Sequence, residues 1–510
     1  MASDSPLQIL QISSRDAGGG AERIAWDLFR TYRSRGHDSR LAVGYKHSAD
    51  HDVLPMPHHL ARPAIRGNLW RVHHHLQPFY RKSRLARGLC RFVHRLAEPE
   101  GHRNVQAGVE DFHFPGIHHL FDRLDIRPDV MHLHNLHGQY FDLRVLPNLC
   151  RRQPVVITLH DAWMTTGHCA HSFDCERWRT GCGECPDLTI YPAIRRDATA
   201  DNWRTKRALY ADCRLFVATP CRWLMEKVRA SMLWPAVAES RVIPHGIDLS
   251  IFQPADRGDA RRQAGLPADP FIVLCAANGI RRNPWRDFET MRRAVAVAAE
   301  RMDERSSPQG KHGPTSIHFI ALGESAPGER IGRATIQFIP FTSDPHAVAR
   351  YYQGADVYLH AARADTFPNT VLEALACGTP VVATAVGGIP EQIRSLPAPF
   401  SSTPGLLAAK PSPTGILTEG GDAEAMAEAI VLLATQQELR RCLGENAARD
   451  AVRRFDLNRL AADYLHWYRE ILGNQSTGLE PTSNAPEWRS SSSHGTMTTC
   501  PTTRSSLNQR

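Results

Sequence analysis

The chain has no apolar run that approaches the roughly 18 residues needed to span a membrane. Its first residues, MASDSPLQILQISS, lack both a basic n-region and an apolar h-region, so no secretory leader is expected. A cytoplasmic protein is the expectation, with at most a peripheral place on the cytoplasmic face of a membrane. The glycine-rich loop near the start is not GxGxxG, and no acid stands where a dinucleotide fold would bind ribose. No fixed-period repeat occurs, which sets aside solenoids and propellers. Acidic charge is in deficit: 61 Lys and Arg against 53 Asp and Glu leave a formal charge of +8, which favours an anionic partner. No recognised nucleic-acid module is present, so no nucleic-acid partner is expected. The 12 cysteines are unlike a disulfide framework, given the reducing compartment.

What is present reads as a soluble globular protein, 42% hydrophobic and 22% charged. At 510 residues it is too long for one ordinary core, and two domains are expected. The most informative stretch is 358–391, YLHAARADTFPNTVLEALACGTPVVATAVGGIPE. It reads as the end of a buried strand, a polar loop, a helix capped by Asn369 or Thr370 and stopped by Gly378, a β-branched strand and a Gly387-Gly388 turn opening another helix. That is the grammar of a parallel α/β sheet. Asp365 lies in the loop and Glu373 in the helix. A carboxylate beside a helix N-terminus can accept sugar hydroxyls while free N–H groups hold phosphate, which suggests a nucleotide sugar.

The same grammar runs through the rest of the chain. LQILQIS leads into Gly18-Gly19-Gly20 and a helix, a loop that lets backbone approach an anion or a sugar. Two further strand-like runs end in polar residues, DVMHLHNLHG at 129–138 and PVVITLHD at 154–161 with His160. In such sheets ligands bind at the C-terminal strand ends. A strand over 271–276 runs into NGIRRNPWRD, where Arg281, Arg282 and Arg286 could clamp a diphosphate.

The acid-x7-Glu spacing followed by ALACGTPVVATAVGGIPE resembles the donor-site signature of family 4 glycosyltransferases. DTFPNTVLEALACGTPVVA, HLHNLHG and VVITLHDAWMTTGHC are similar to a subgroup that builds bacterial exopolysaccharide of the colanic-acid type. The likeness covers about residues 7–472. It implies an α/β fold of two Rossmann-like domains facing a cleft, the GT-B arrangement, with a C-terminal helix returning to the first domain. The expected divisions are an acceptor-side domain at 1–245, a nucleotide-sugar domain at 246–445, a crossover helix at 446–473 and a disordered tail at 474–510. It also implies a retaining hexosyltransferase, with no cofactor for catalysis, acting on a nucleoside-diphosphate sugar and a glycan acceptor, polyprenyl-diphosphate-linked. Arg281 and Arg286 would stabilise the diphosphate, Glu373 would bind ribose, and Asn369 and Thr370 would offer N–H groups to phosphate. Asp365 would hold the donor sugar, His160 would approach it from the other domain, and Gly19 and Gly20 would admit the phosphate or the acceptor. The chain departs from the family at Asp365 (Glu in most members), Arg286 (Lys) and His245 (Asn). A nucleotide-sugar epimerase on the same architecture and an inactive membrane or assembly partner are the alternatives.

Two features fall outside that pattern. Cys169, Cys175, Cys182 and Cys185 lie within 17 residues, two of them as CxxC, and a closed structural zinc site is the leading reading, with free thiols or two disulfides as competitors. Residues 51–118 form a His-rich insert. Its segment 62–103 holds ten Arg and Lys against Glu98 and Glu100, interleaved with leucines and aromatics. It reads either as a surface for anionic membrane or as a solvated basic helix pair whose apolar side packs on the domain.

Overall fold

The computed structural model describes residues 5–56, 63–76, 79, 83–110, 112, 114, 116–121, 124, 126–305, 316–397 and 412–476. Most of the Pro/Ser-rich loop expected at 395–413 and all of the expected tail beyond 476 lie outside these residues.

The first sheet is built from β1 (Gln8–Arg15), β2 (Asp38–Tyr45), β3 (Val53–Pro55), β4 (Val130–His134), β5 (Val155–Thr158), β6 (Leu215–Thr219) and β7 (Val237–Val242). All its pairings are parallel, in the order β3-β2-β1-β4-β5-β6-β7. The second comprises β8 (Phe271–Ala276), β9 (Ile317–Leu322), β10 (Glu329–Ile331), β11 (Ala334–Ile339), β12 (Val357–His360), β13 (Val381–Thr384) and β14 (Gly415–Thr418). Its order is β10-β11-β9-β8-β12-β13-β14, and only β10 runs antiparallel. Buried on both faces, the central strands are continuous apolar runs such as FIVLCA.

Helix α1 (Gly20–Ser34) follows the glycine loop, and α2 (Asn369–Ala376) follows the loop after β12. The last helix, α3 (Leu457–Ser476), leaves the second domain and packs on the first sheet. Leu460, Tyr464, Trp467, Tyr468 and Ile471 join Ile24 and Leu28 of α1, Val130 of β4 and Phe216 of β6 in one buried cluster. Each such side chain contributes about 1.5–3 kcal/mol of burial. A hydrogen-bonded chain threads the same interface. The Tyr32 and Tyr468 hydroxyls are 3.2 Å apart, Tyr468 is 2.7 Å from His132 Nδ1, His132 Nε2 is 2.7 Å from Thr158, and Thr158 is 2.6 Å from the Tyr464 hydroxyl. Burial pushes His132 down to about 3, so it sits there neutral. The returning helix is therefore as expected. It carries through Ser476, three residues past the expected end of the crossover helix.

Within the insert, helices Ala64–Leu76 and Arg84–Ala97 pack side by side, joined to Phe114 by Trp70 and Ala97. Among the described residues no helix is long and apolar enough to cross a membrane.

Candidate functional site

The C-terminal ends of the two sheets bring the donor-side residues together. Arg286, in the loop after β8, donates from Nη1 to Asp365 Oδ2 at 2.5 Å and lies 3.2 Å from His360 Nε2 at the end of β12. His360 Nδ1 is 3.2 Å from the Tyr358 hydroxyl, which reaches the carbonyl of Ala276 at 3.4 Å. Burial and the guanidinium push His360 down to about 4, so its Nε2 accepts from Arg286 and its Nδ1–H donates to Tyr358. Burial raises Asp365, but the Arg286 guanidinium outweighs it and holds the carboxyl well below its usual range. The shorter acid thus stays ionised because the arginine is against it. Arg286 Nε is buried without a hydrogen-bond partner and remains able to donate.

The neighbouring glycines have a steric reason. A Cβ at Gly387 would overlap the Asp365 carbonyl, and one at Gly388 would overlap both Thr366 O and Cys221 of the first domain. The turn after β13 therefore lets the Asp365 loop lie flat beneath it.

At α2 the cap differs from expectation. Pro368 is the N-cap, no side chain caps the helix, and Asn369 is its first residue. The Asn369 side chain is already engaged across the cleft: Nδ2 donates to Gly20 O at 3.3 Å, and Oδ1 is 3.2 Å from His245 Nδ1. The first-turn N–H groups at Asn369 and Thr370 are thereby left for an anion. Glu373 accepts from the Tyr352 hydroxyl at 2.9 Å. Burial pushes its carboxyl up to about 7, against the opposing pull of Tyr352 and Arg23.

From the first domain, Gly19 is the N-cap of α1 and Gly18 takes φ +129°, which favours glycine. His160, just beyond β5, has Nε2 at 3.1 Å from His134 Nδ1, and its ring centroid is 5.1 Å from that of His245. Burial, with His245 and His134 close by, pushes His160 well below its ordinary range. Its Nδ1 is buried without a partner. A neutral file His134–His160–His245 thus runs from β4 to Asn369 of α2.

Arg281 stands apart. Its Nε donates to Glu324 at 2.7 Å, its backbone N–H does so at 2.8 Å, and the guanidinium lies over Phe338 with its side chain 45% exposed. Arg282 is exposed. Only Arg286 is gathered into the Asp365 cluster. Sequence reasoning missed His360, Tyr358, Tyr352 and His134. The first and last of these close β12 and β4, the strand-end position that could have singled them out.

The zinc expectation rests on the four cysteines that follow β5 in the chain. Among the described residues no three His, Cys, Asp or Glu side chains are grouped to hold a metal ion, and Cys169, Cys175, Cys182 and Cys185 are free thiols. Two of them have other partners. Cys182 accepts from Gly167 N–H at 3.3 Å, and Cys185 faces His168 Nε2 at 3.4 Å and the Asp187 carbonyl at 3.5 Å.

Residues 329–450 match the family model of glycosyl transferases group 1. Over 396 residues the chain is 25% identical to an Escherichia coli K12 protein named as the colanic acid biosynthesis glycosyl transferase WcaC, covering 74% of this chain and 83% of that one. It is 31% identical over 241 residues to the D-inositol 3-phosphate glycosyltransferase of Actinosynnema mirum, 45% of this chain and 52% of the relative, so it spans about half the length of that protein. Among solved structures, sucrose-phosphate synthase from Thermosynechococcus elongatus aligns over 92% of this chain and 100% of its own, at 18% identity and TM-score 0.53. Anabaena HepE in complex with UDP does so over 92% and 100%, at 16% identity and TM-score 0.52. The fold is that of the GT-B glycosyltransferases.

Proposed function

We propose that the chain transfers a hexosyl group, with retention of configuration and without a metal, from a nucleoside-diphosphate sugar to a polyprenyl-diphosphate-linked glycan in exopolysaccharide assembly. The observation that carries this reading is the uncapped start of α2 lying between the Arg286–Asp365 pair on its own domain and Gly20 with the histidine file on the other. The WcaC likeness supports the exopolysaccharide setting, and the UDP held by HepE supports a nucleotide-sugar donor.

In this reading the N–H groups at Asn369 and Thr370 and the unpartnered Nε of Arg286 bind the diphosphate, while Arg281 adds positive charge from the rim. Glu373 accepts the ribose hydroxyls, held in place by Tyr352. Asp365, kept ionised by Arg286, accepts hydroxyls of the donor sugar, and the neutral His160 offers its Nδ1 edge from across the cleft. As the glycosidic C–O bond to phosphate breaks, negative charge grows on the diphosphate where the guanidinium already stands. The acceptor hydroxyl enters on the same face as the departing phosphate, whose oxygen takes the hydroxyl proton. Configuration is retained without a protein base.

The test is a panel of nucleotide sugars incubated with lipid-linked glycan acceptors, following release of nucleoside diphosphate and the anomeric configuration of the product. Acceptor-dependent release with a retained linkage is expected. Donor conversion without acceptor would mark an epimerase instead, and release from no donor would point to an inactive partner.

A further inference from the structure

The insert helix Arg84–Ala97 carries apolar residues on two sides, and the fold uses one. Cys90, Val93 and Ala97 are buried. Leu85, Leu89, Phe92 and Leu96, at spacings of four, three and four, form one stripe about 100° around the helix from that buried row. They are 86%, 51%, 60% and 47% exposed. The helix packed beside it adds Ile65 and Val72, also exposed. Of the two sequence readings of this insert, a basic helix pair with its apolar side packed away describes only half of what is seen. A contiguous exposed apolar row marks a contact surface.

We propose that this face docks on an anionic lipid bilayer. Residues 63–97 contain eight Arg and Lys and no Asp or Glu. Arg84, Arg91 and Arg95 each precede a stripe residue, which sets a cationic row about 100° around the helix from the apolar one. A helix with that division lies in the plane of a bilayer, its leucines and phenylalanine at the acyl boundary and its guanidinium groups at lipid phosphates. An acidic protein surface would engage the arginines but leave unexplained a row of four large apolar side chains beside them. The inference stands independently of the proposed reaction.

The full chain is sedimented with vesicles of phosphatidylcholine alone or with about 30 mol% phosphatidylglycerol. Binding is expected only to the anionic vesicles and should weaken with salt. The triple variant Leu85→Ser/Leu89→Ser/Phe92→Ser should bind about tenfold more weakly. Because these side chains are exposed, its thermal melt should match that of the wild type. A second variant, Arg84→Glu/Arg91→Glu, should lose binding by a similar factor. Equal sedimentation with neutral vesicles, or unchanged binding by both variants, would overturn the proposal. So would self-association in light scattering that the triple variant abolishes while anionic vesicles go unbound, since the face would then serve a second copy of the chain. Nucleoside-diphosphate release measured in detergent reports on the reaction separately.

Discussion

Arg286 and Arg281 are five residues apart in sequence, yet their surroundings give them unequal work. Arg286 is enclosed with Asp365 and His360, where charge on a leaving diphosphate would be poorly screened. Arg281 is tied to Glu324 at the rim. Arg286→Ala is expected to cost about 2–4 kcal/mol in kcat/KM, the scale of losing one preorganised electrostatic donor. Arg286→Lys, which restores the residue usual in the resembling family, should recover most of that loss. Near-normal turnover by the alanine variant would remove Arg286 from the mechanism. At Glu373 the folded carboxyl titrates near 7 against a reference of 4.5. Between those values the unfolded chain has already released the proton that the folded chain keeps, so rising pH lowers stability by about 1.4 kcal/mol per unit and the effect levels off above about 7. In the proposed mode ribose binding draws on the ionised form. Affinity for the nucleoside diphosphate should therefore fall about tenfold per unit below pH 7 in the wild type, and Glu373→Gln should flatten that dependence in calorimetry while raising stability more at pH 8 than at pH 5. A pH slope retained by Glu373→Gln would assign the titration elsewhere. Both acids were legible in the sequence because a loop acid followed eight residues on by a helix acid carries the family resemblance. The Arg286–Asp365 contact was not, since nothing in one sequence says which of three arginines turns inward.

At the scale of elements, legibility follows burial. The central strands β1, β4, β5, β8, β12 and β13 are doubly covered and read as apolar runs, so each was visible before the structure. The edge strands β3, β7, β10 and β14 were not. β7 reads VAESRV, and β14 follows directly on the Pro/Ser-rich stretch. β3, β7 and β10 are partly solvated and carry no apolar run, and buried β14 offers only Ile416 and Leu417 between glycine and threonine. Helix α3 was legible through Leu460, Tyr464, Trp467, Tyr468 and Ile471 at helical spacing, but its polar wiring was not: His132 and the three tyrosines meet only in three dimensions. This wiring bears on stability. Tyr468→Phe keeps the ring in its cluster and removes the hydroxyl between Tyr32 and His132, leaving His132 Nδ1 buried without a partner. A loss of about 1–3 kcal/mol in urea unfolding is expected. His132→Asn should then cost much less in the Tyr468→Phe background than alone, as coupled partners are not additive. Additive costs would mean that the chain of hydroxyls and imidazole does not act as a unit.

The two domains meet through contacts that no single-domain reading could supply. Glu391, at the short helix after the Gly387-Gly388 turn, sends its carboxylate to the first domain, where Arg222 N–H donates to it at 2.8 Å and Trp223 N–H at 2.9 Å. The helix Arg222–Arg229 has no side-chain cap of its own, so an acid from the opposite domain satisfies its first turn. Phe173 stacks on Trp285 across the same cleft with centroids 5.7 Å apart, and the Arg454 guanidinium donates to the Glu391 and Gln392 carbonyls, securing that short helix from behind. The cap holds in register the Asp365 loop beneath the glycine turn and the histidine file facing it. Hydrogen bonds to a charged group contribute about 1.5–3 kcal/mol. Losing the pair should therefore shift the domain equilibrium toward separation by about tenfold or more. Glu391→Ala is expected to enlarge the radius of gyration in solution scattering and to lower kcat/KM while leaving nucleoside-diphosphate affinity nearly unchanged, because in the proposed mode Arg286, the start of α2 and Glu373 bind the nucleotide from the second domain. Glu391→Gln, whose single amide oxygen can take over only one of the two N–H bonds, should fall between the alanine variant and the wild type. If scattering from Glu391→Ala matches the wild type and turnover still drops, the carboxylate acts on the reaction directly and the interdomain cap is not what aligns the cleft.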